Sequence, residues 1–239
     1  MIATSGHLGI LLLETSFPRI PGDVGNPASY DFPVRLYTVP GATVERVVRQ
    51  ADRSLLPAFI QAARLLESEG AAAITSSCGF LSLFQDAVAK AVKVPVFLSS
   101  LQQVPLVYAI TRRRVAIITA HAGRLSQEVL TCAGIDPNIP LAVSGLEDAP
   151  AFSEPIMANG QILQKQAIEA EVLERSLALL KQYTDIGAYV FECHNLAPYG
   201  QAVQQATGLP VFDVLDFANW VHNGLVKRSY PYPGSVGDF

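Results

Sequence analysis

Residues 73–97, A-I-T-S-S-C-G-F-L-S-L-F-Q-D-A-V-A-K-A-V-K-V-P-V-F, return 115 positions later as residues 188–212, A-Y-V-F-E-C-H-N-L-A-P-Y-G-Q-A-V-Q-Q-A-T-G-L-P-V-F. Nine of the 25 positions coincide without a gap, among them Cys78/Cys193, Ala87/Ala202, Val88/Val203 and Pro95-Val96-Phe97/Pro210-Val211-Phe212. A repeat at a fixed offset marks equivalent structural units. Two of the three cysteines in the chain therefore share one structural address.

Each copy reads as strand, cysteine turn, helix, strand. Ala71 to Ile74 and Ala188 to Phe191 are short apolar runs of the kind that form strands buried on both faces. Leu83, Ala87, Val88 and Ala91 then fall on one helical face, as do Tyr199, Ala202, Val203 and Ala206. Val94 to Phe97 and Leu209 to Phe212 read as the next strands, each with a proline near its entry. Each cysteine is thereby placed at the carboxyl end of a strand and the amino end of a helix, where open α/β sheets bind ligands.

The same logic extends outward. Leu8 to Leu13 reads as a first strand, and Val115 to Thr119 as its counterpart at the start of a second half. Val34 to Val39 alternates as a strand. Residues 46–66 and 162–183 carry helical spacing, and the tail around 230–234 (Y-P-Y-P-G) reads as extended. Between the first two strands, residues 14–33 are rich in proline and glycine; a lid over the site and a plain surface loop both stand as readings. The fold class expected is α/β, with two pseudo-symmetric lobes. Each lobe is a parallel sheet of about four strands flanked by helices, with the active site in the cleft between lobes.

The chain has 239 residues, half of them hydrophobic and 16% charged. Mean hydropathy is +0.29, which suits strands buried on both faces. The formal net charge of −4 argues against a nucleic-acid or anionic-membrane partner. Arg112-Arg113-Arg114 is a lone basic cluster and reads as a solvated loop. No run approaches the ~18 apolar residues of a membrane span, and Met1 to His7 lacks the features of a signal peptide. The expected location is cytoplasmic, where cysteines stay thiols. The apolar composition makes a homo-oligomer plausible.

A cysteine at a helix N-terminus tends toward the thiolate, since the dipole and free N–H groups favour the anion. Two such cysteines facing each other can exchange protons with a carbon acid from opposite sides. The same helix ends can bind its carboxylate. No metal and no organic cofactor is needed for this chemistry.

The sequence resembles the aspartate/glutamate racemase superfamily, which includes the hydantoin racemases. The resemblance rests on Thr75-Ser76-Ser77-Cys78-Gly79-Phe80, on Glu192-Cys193-His194-Asn195, and on the first strand with Glu14-Thr15-Ser16-Phe17-Pro18-Arg19 after it. It implies Cys78 and Cys193 as the two acid/bases. It implies carboxylate binding by the backbone N–H groups of Gly79, Phe80, His194 and Asn195. Ser77 beside the first cysteine, Glu14 and Thr15 after the first strand, and Thr119 at the end of the second half's first strand are further substrate-binding candidates by position. The resemblance also implies that the segment around Trp220 returns to the first lobe. The lobes are then residues 1–107 plus 213–239, carrying Cys78, and residues 108–212, carrying Cys193. Glutamate racemases carry Asn-Thr after the first cysteine where this chain has Gly79-Phe80, which points to a bulkier or more apolar substrate.

The function expected on these grounds is an isomerase: a cofactor-independent racemase or epimerase of an amino acid or related carboxylate or hydantoin. The alternatives are a decarboxylase or cis–trans isomerase of a small dicarboxylate, or a non-catalytic carboxylate-binding protein. The partner expected is a small-molecule carboxylate or hydantoin. Cys132 reads as a core residue. His194 reads as thiolate partner or as loop histidine, and Glu192 as orienting group or salt-bridge partner. Arg19 reads as a carboxylate clamp or a surface residue, and His121 as site-facing. Cys78, Cys193 and His194 are also three possible zinc ligands, but no fourth ligand is apparent. Dinucleotide-binding, phosphate-loop and serine-hydrolase motifs are absent from the sequence.

Overall fold

The computed structural model describes residues 6–227. It contains two four-stranded, wholly parallel sheets. The first is built from β1 (His7–Leu12), β2 (Val34–Thr38), β3 (Ala71–Ser76) and β4 (Val96–Phe97), in the order β2-β1-β3-β4. The second is built from β5 (Arg114–Thr119), β6 (Leu141–Gly145), β7 (Ile186–Phe191) and β8 (Val211–Phe212), in the order β6-β5-β7-β8. The helices are α1 (Leu56–Ser68), α2 (Gln85–Ala91), α3 (Val104–Thr111), α4 (Gln127–Cys132), the single turn α5 (Pro150–Phe152), α6 (Lys165–Gln182), α7 (Gly200–Thr207) and α8 (Val214–Leu225).

The duplication reaches into the hydrogen-bond register. β1 pairs with β3 across an irregularity between His7 and Leu8; β5 pairs with β7 across one between Arg114 and Val115. Every residue of β3 and β7 is buried, as their continuous small and apolar runs require in a parallel sheet covered on both faces. The chain leaves β1 toward β2 on one side and returns to β3 on the other. That reversal opens a crevice at the strands' carboxyl ends, and the second sheet repeats it.

α8 packs on the first sheet, where Val214 and Ala218 meet Leu8, Ile10, Ala73 and Phe97. Asp213 caps it, accepting from the N–H groups of Leu215 and Asp216. The proline-rich stretch at 230–234 lies outside the described residues. Among the described residues, no helix is long and apolar enough to cross a membrane.

Two local expectations are corrected. The helical spacing over 46–66 is interrupted: a wide turn (Glu45–Arg49) ends ahead of Ala51, whose φ is +50°, and α1 begins at Leu56. Asp52 breaks the helix by accepting from the Ser54 N–H and pairing with Arg46 at 2.8 Å. Cys132 is exposed rather than core, because Ala133 takes the buried position at the end of α4.

Candidate active site

Cys78 lies two residues beyond β3 and Cys193 two residues beyond β7, both buried. They line one narrow cleft, whose walls include Phe17, Phe80, Ile156 and Met157. Ser77, Gly79, Asn195 and Thr15 line it too. The Ser77 hydroxyl accepts from the Leu13 N–H at 2.9 Å, which leaves its own proton free to donate.

The thiols do not sit at α-helix N-termini as the spacing suggested. Cys78 precedes a 3₁₀ stretch, Gly79–Phe84, and α2 starts only at Gln85. Cys193 opens a tight turn closed by the Leu196 N–H on the Cys193 carbonyl at 3.0 Å, and α7 starts at Gly200. The expected tendency toward the thiolate is reversed as well. Burial pushes both thiol pKa values up, and the charge of Glu192 pushes them further. Desolvation here outweighs the few N–H groups that face the sulfurs.

Those N–H groups are unequally shared. The Cys78 sulfur is favoured as an anion by the N–H groups of Phe80 and Leu81, the Cys193 sulfur by that of Asn195 alone. Cys193 Sγ also donates to Asn195 Oδ1 at 3.6 Å. The orientation of that amide is fixed, because Asn195 Nδ2 donates to Asp23 Oδ2 at 2.6 Å and a carboxylate can only accept. A carbonyl oxygen facing Cys193 holds it as a thiol. Cys78 is the sulfur whose anion has more N–H groups facing it.

Asp23 organises the 14–30 loop, a role the sequence did not single out. Buried itself, it accepts from Arg19 Nη1 at 2.7 Å and from the Gly25 N–H at 2.7 Å. Arg19 Nη2 donates to Thr15 Oγ1 at 3.0 Å, and Arg19 lines the cleft. Ser16 reaches the second half of the chain, its N–H donating to Asn159 Oδ1 at 2.6 Å. The loop is thus a wall of the site, and Arg19 is both paired and directed at the cleft.

Three sequence candidates take other places. Glu14 accepts from the Gly41 N–H at 2.9 Å, outside the cleft lining. Thr119 is buried behind the cleft and donates to Glu192 Oε2 at 2.7 Å. His194 is buried with both ring nitrogens in use: Nδ1 donates to the Ser76 carbonyl at 2.8 Å and Nε2 accepts from the Ser100 N–H at 3.1 Å. Burial pushes its pKa down to about 4. The ring is neutral, occupied and not part of the lining, so neither thiolate pairing nor zinc ligation is open to it. His121 faces Glu147 in a neighbouring cavity. Among the described residues, no three His, Cys, Asp or Glu side chains gather as a metal site.

No family model matches the chain. Solved structures share its architecture. Unliganded arylmalonate decarboxylase superposes with a TM-score of 0.63 at 15% identity, covering 96% of this chain and 97% of that one. Allantoin racemase from Klebsiella pneumoniae gives 0.64 at 16% identity, covering 92% and 87%. The fold is that of the aspartate/glutamate racemase superfamily. Among curated proteins, "Dimethylsulfoniopropionate lyase" of Durusdinium sp. clade D is 31% identical over 230 residues, covering 92% of this chain and 75% of the relative. The chain belongs to the dimethylsulfoniopropionate lyase family.

A second member, "Dimethylsulfoniopropionate lyase 7" of Emiliania huxleyi (strain CCMP1516), is 33% identical over 224 residues, covering 89% of this chain. The chain spans only 65% of that relative's length. These relatives correct the functional expectation. They are named as lyases, so the racemase or epimerase reading and the isomerase class do not hold. The decarboxylase alternative, itself a lyase on this scaffold, stood nearer. The resemblance identified the scaffold, but thiols that remove an α-proton serve several reactions, and the fate of the carbanion is not written in the cysteine pair.

Proposed function

We propose that the protein is a lyase that splits dimethylsulfoniopropionate into dimethyl sulfide, acrylate and a proton, with Cys78 as base. The observation that carries this is a pair of buried cysteines at matching strand ends, in a chain 31% identical over 230 residues to a relative named for that substrate. Racemisation and elimination share their first step, removal of a proton α to a carboxylate. They part when the β-carbon bears a leaving group. The Cys78 thiolate takes the α-proton, and the C–H electron pair becomes the new C=C bond. The β C–S bond breaks, and its electron pair departs on sulfur as neutral dimethyl sulfide. The zwitterion thus gives a neutral sulfide, the acrylate anion and one proton, which Cys78 passes to solvent.

The remaining groups divide the work. Arg19 and the Ser77 hydroxyl are available to the substrate carboxylate. Cys193, held as a thiol by Asn195, lines the same cleft. Phe17, Phe80, Ile156 and Met157 exclude water, which strengthens every charge interaction inside. The division of the chain into 1–107 plus 213–239 and 108–212 belongs to the same reading, supported by the packing of α8 on the first sheet.

The test is headspace chromatography for dimethyl sulfide with proton NMR for the vinyl signals of acrylate. The two products should appear one to one. Cys78→Ser should lower kcat roughly 10²–10⁴-fold, the span of general-base catalysis. Cys193→Ser should cost roughly tenfold, one hydrogen bond's worth. Absence of both products with the intact protein would overturn the reading, and full activity in Cys78→Ser would remove that residue as base.

A further inference from the structure

Glu192 is the group in the cleft that the thiols do not explain. It follows β7 directly, precedes Cys193, and is fully buried. Its Oε2 is held by Thr119, but among the described residues Oε1 has no hydrogen-bond partner. A buried carboxylate oxygen without a partner is costly, and such a group persists where something pays for it. The site is built around it. A Cβ at Gly79 would collide with both Oε1 and the backbone carbonyl of Glu192. The missing side chain after Cys78 is what lets a carboxyl group from the other sheet reach the cleft.

The charges of the lining make Glu192 distinct. Arg19 is compensated by Asp23 at 2.7 Å, whereas no basic side chain pairs with Glu192 among the described residues. The cleft therefore holds a compensated cation with donors to spare, one unpaired acid, and the ring of Phe80. This pattern complements a zwitterion whose cationic end has no N–H to donate and is satisfied by charge and aromatic surface.

We propose that Glu192 is a specificity-determining residue that receives the cationic end of an onium carboxylate, a sulfonium or its quaternary ammonium equivalent. This rests on the lyase reading for the identity of the ligand, though the geometry of Glu192 stands apart from it. A cation beside Glu192 also offsets the charge that raises both thiols beyond what burial alone does. The ligand thereby helps to create the base that attacks it.

The experiment is calorimetric titration of the intact protein and of Glu192→Gln with two isosteric acids. One is 3-(trimethylammonio)propanoate; the other is 4,4-dimethylpentanoate, in which carbon replaces the charged nitrogen. The intact protein should prefer the cation at least roughly tenfold, the size of one charge-assisted contact. Glu192→Gln should lose that preference while binding 4,4-dimethylpentanoate at least as well as the intact protein does, which also shows that it is folded. Equal binding of the two acids by the intact protein overturns the proposal without needing the variant. A preference that survives in Glu192→Gln, or a parallel loss of both ligands, overturns it as well. Failure of the lyase reading is separable: cation preference without release of dimethyl sulfide would sink the reaction and keep Glu192, and turnover without the preference would do the reverse.

Discussion

The Glu192 carboxyl keeps its proton in the folded chain up to about pH 7, because burial disfavours its charge. An unfolded glutamate releases it near 4.5. Between those values the folded state binds more protons, so stability falls as pH rises from 4.5 to 7 and the cost persists above. Two and a half units correspond to about 3 kcal/mol. Glu192→Gln keeps the shape and removes the charge. Its melting temperature should exceed that of the intact protein at pH 8 and match it near pH 4, by scanning calorimetry. A gain that does not change with pH would show that the carboxyl is not ionised at a cost. Cys78 and Cys193 were legible at this scale because a 25-residue repeat lifts them out of the background of buried thiols. Glu192 was not, since its neighbour in the other sheet, Gly79, is 113 positions earlier and has no side chain to signal the contact.

The elements around the site are strands with turns attached, and one loop that crosses between them. The strands were readable from continuous apolar runs. The break before α1 was not read, although Asp52 and Pro57 mark it. Residues 14–30 are held over the cleft through Asp23, which ties Arg19 on its own loop to Asn195 beyond β7. Asp23→Ala leaves both partners without their acceptor and frees the Asn195 amide to turn. We expect faster amide hydrogen exchange across residues 16–25, and a KM for the proposed sulfonium substrate raised roughly tenfold, as for loss of a charge-assisted hydrogen bond. Unchanged exchange in the loop would mean that the contacts of Ser16 with Asn159 and Gln161 suffice to hold it.

Across the whole molecule, His194 fastens the two sheets at their carboxyl ends. It leaves the β7 turn and bonds Ser76 at the end of β3 and Ser100 beyond β4, while Ser100 Oγ returns a bond to the Phe191 carbonyl at 2.6 Å. The ring is neutral down to about pH 4, whereas an unfolded histidine takes a proton near 6.5. As pH falls through that window the unfolded state binds more protons, and about 3 kcal/mol of stability is lost. His194→Asn keeps a donor for Ser76 and removes the titration. Its stability deficit in urea should therefore shrink by about that amount between pH 6.5 and 4, and a constant deficit would show that the ring charges without unfolding. The sequence by itself determined the duplication, the parallel strands and the two cysteine addresses, because apolar periodicity and repeat spacing are local and survive without coordinates. Only the tertiary structure decided the surroundings of those addresses. The protonation of the thiols depends on desolvation by residues far along the chain, and the orientation of Asn195 on an aspartate 172 positions away. The unpaired acid at the floor of the cleft exists only because two separately built sheets are pressed together there.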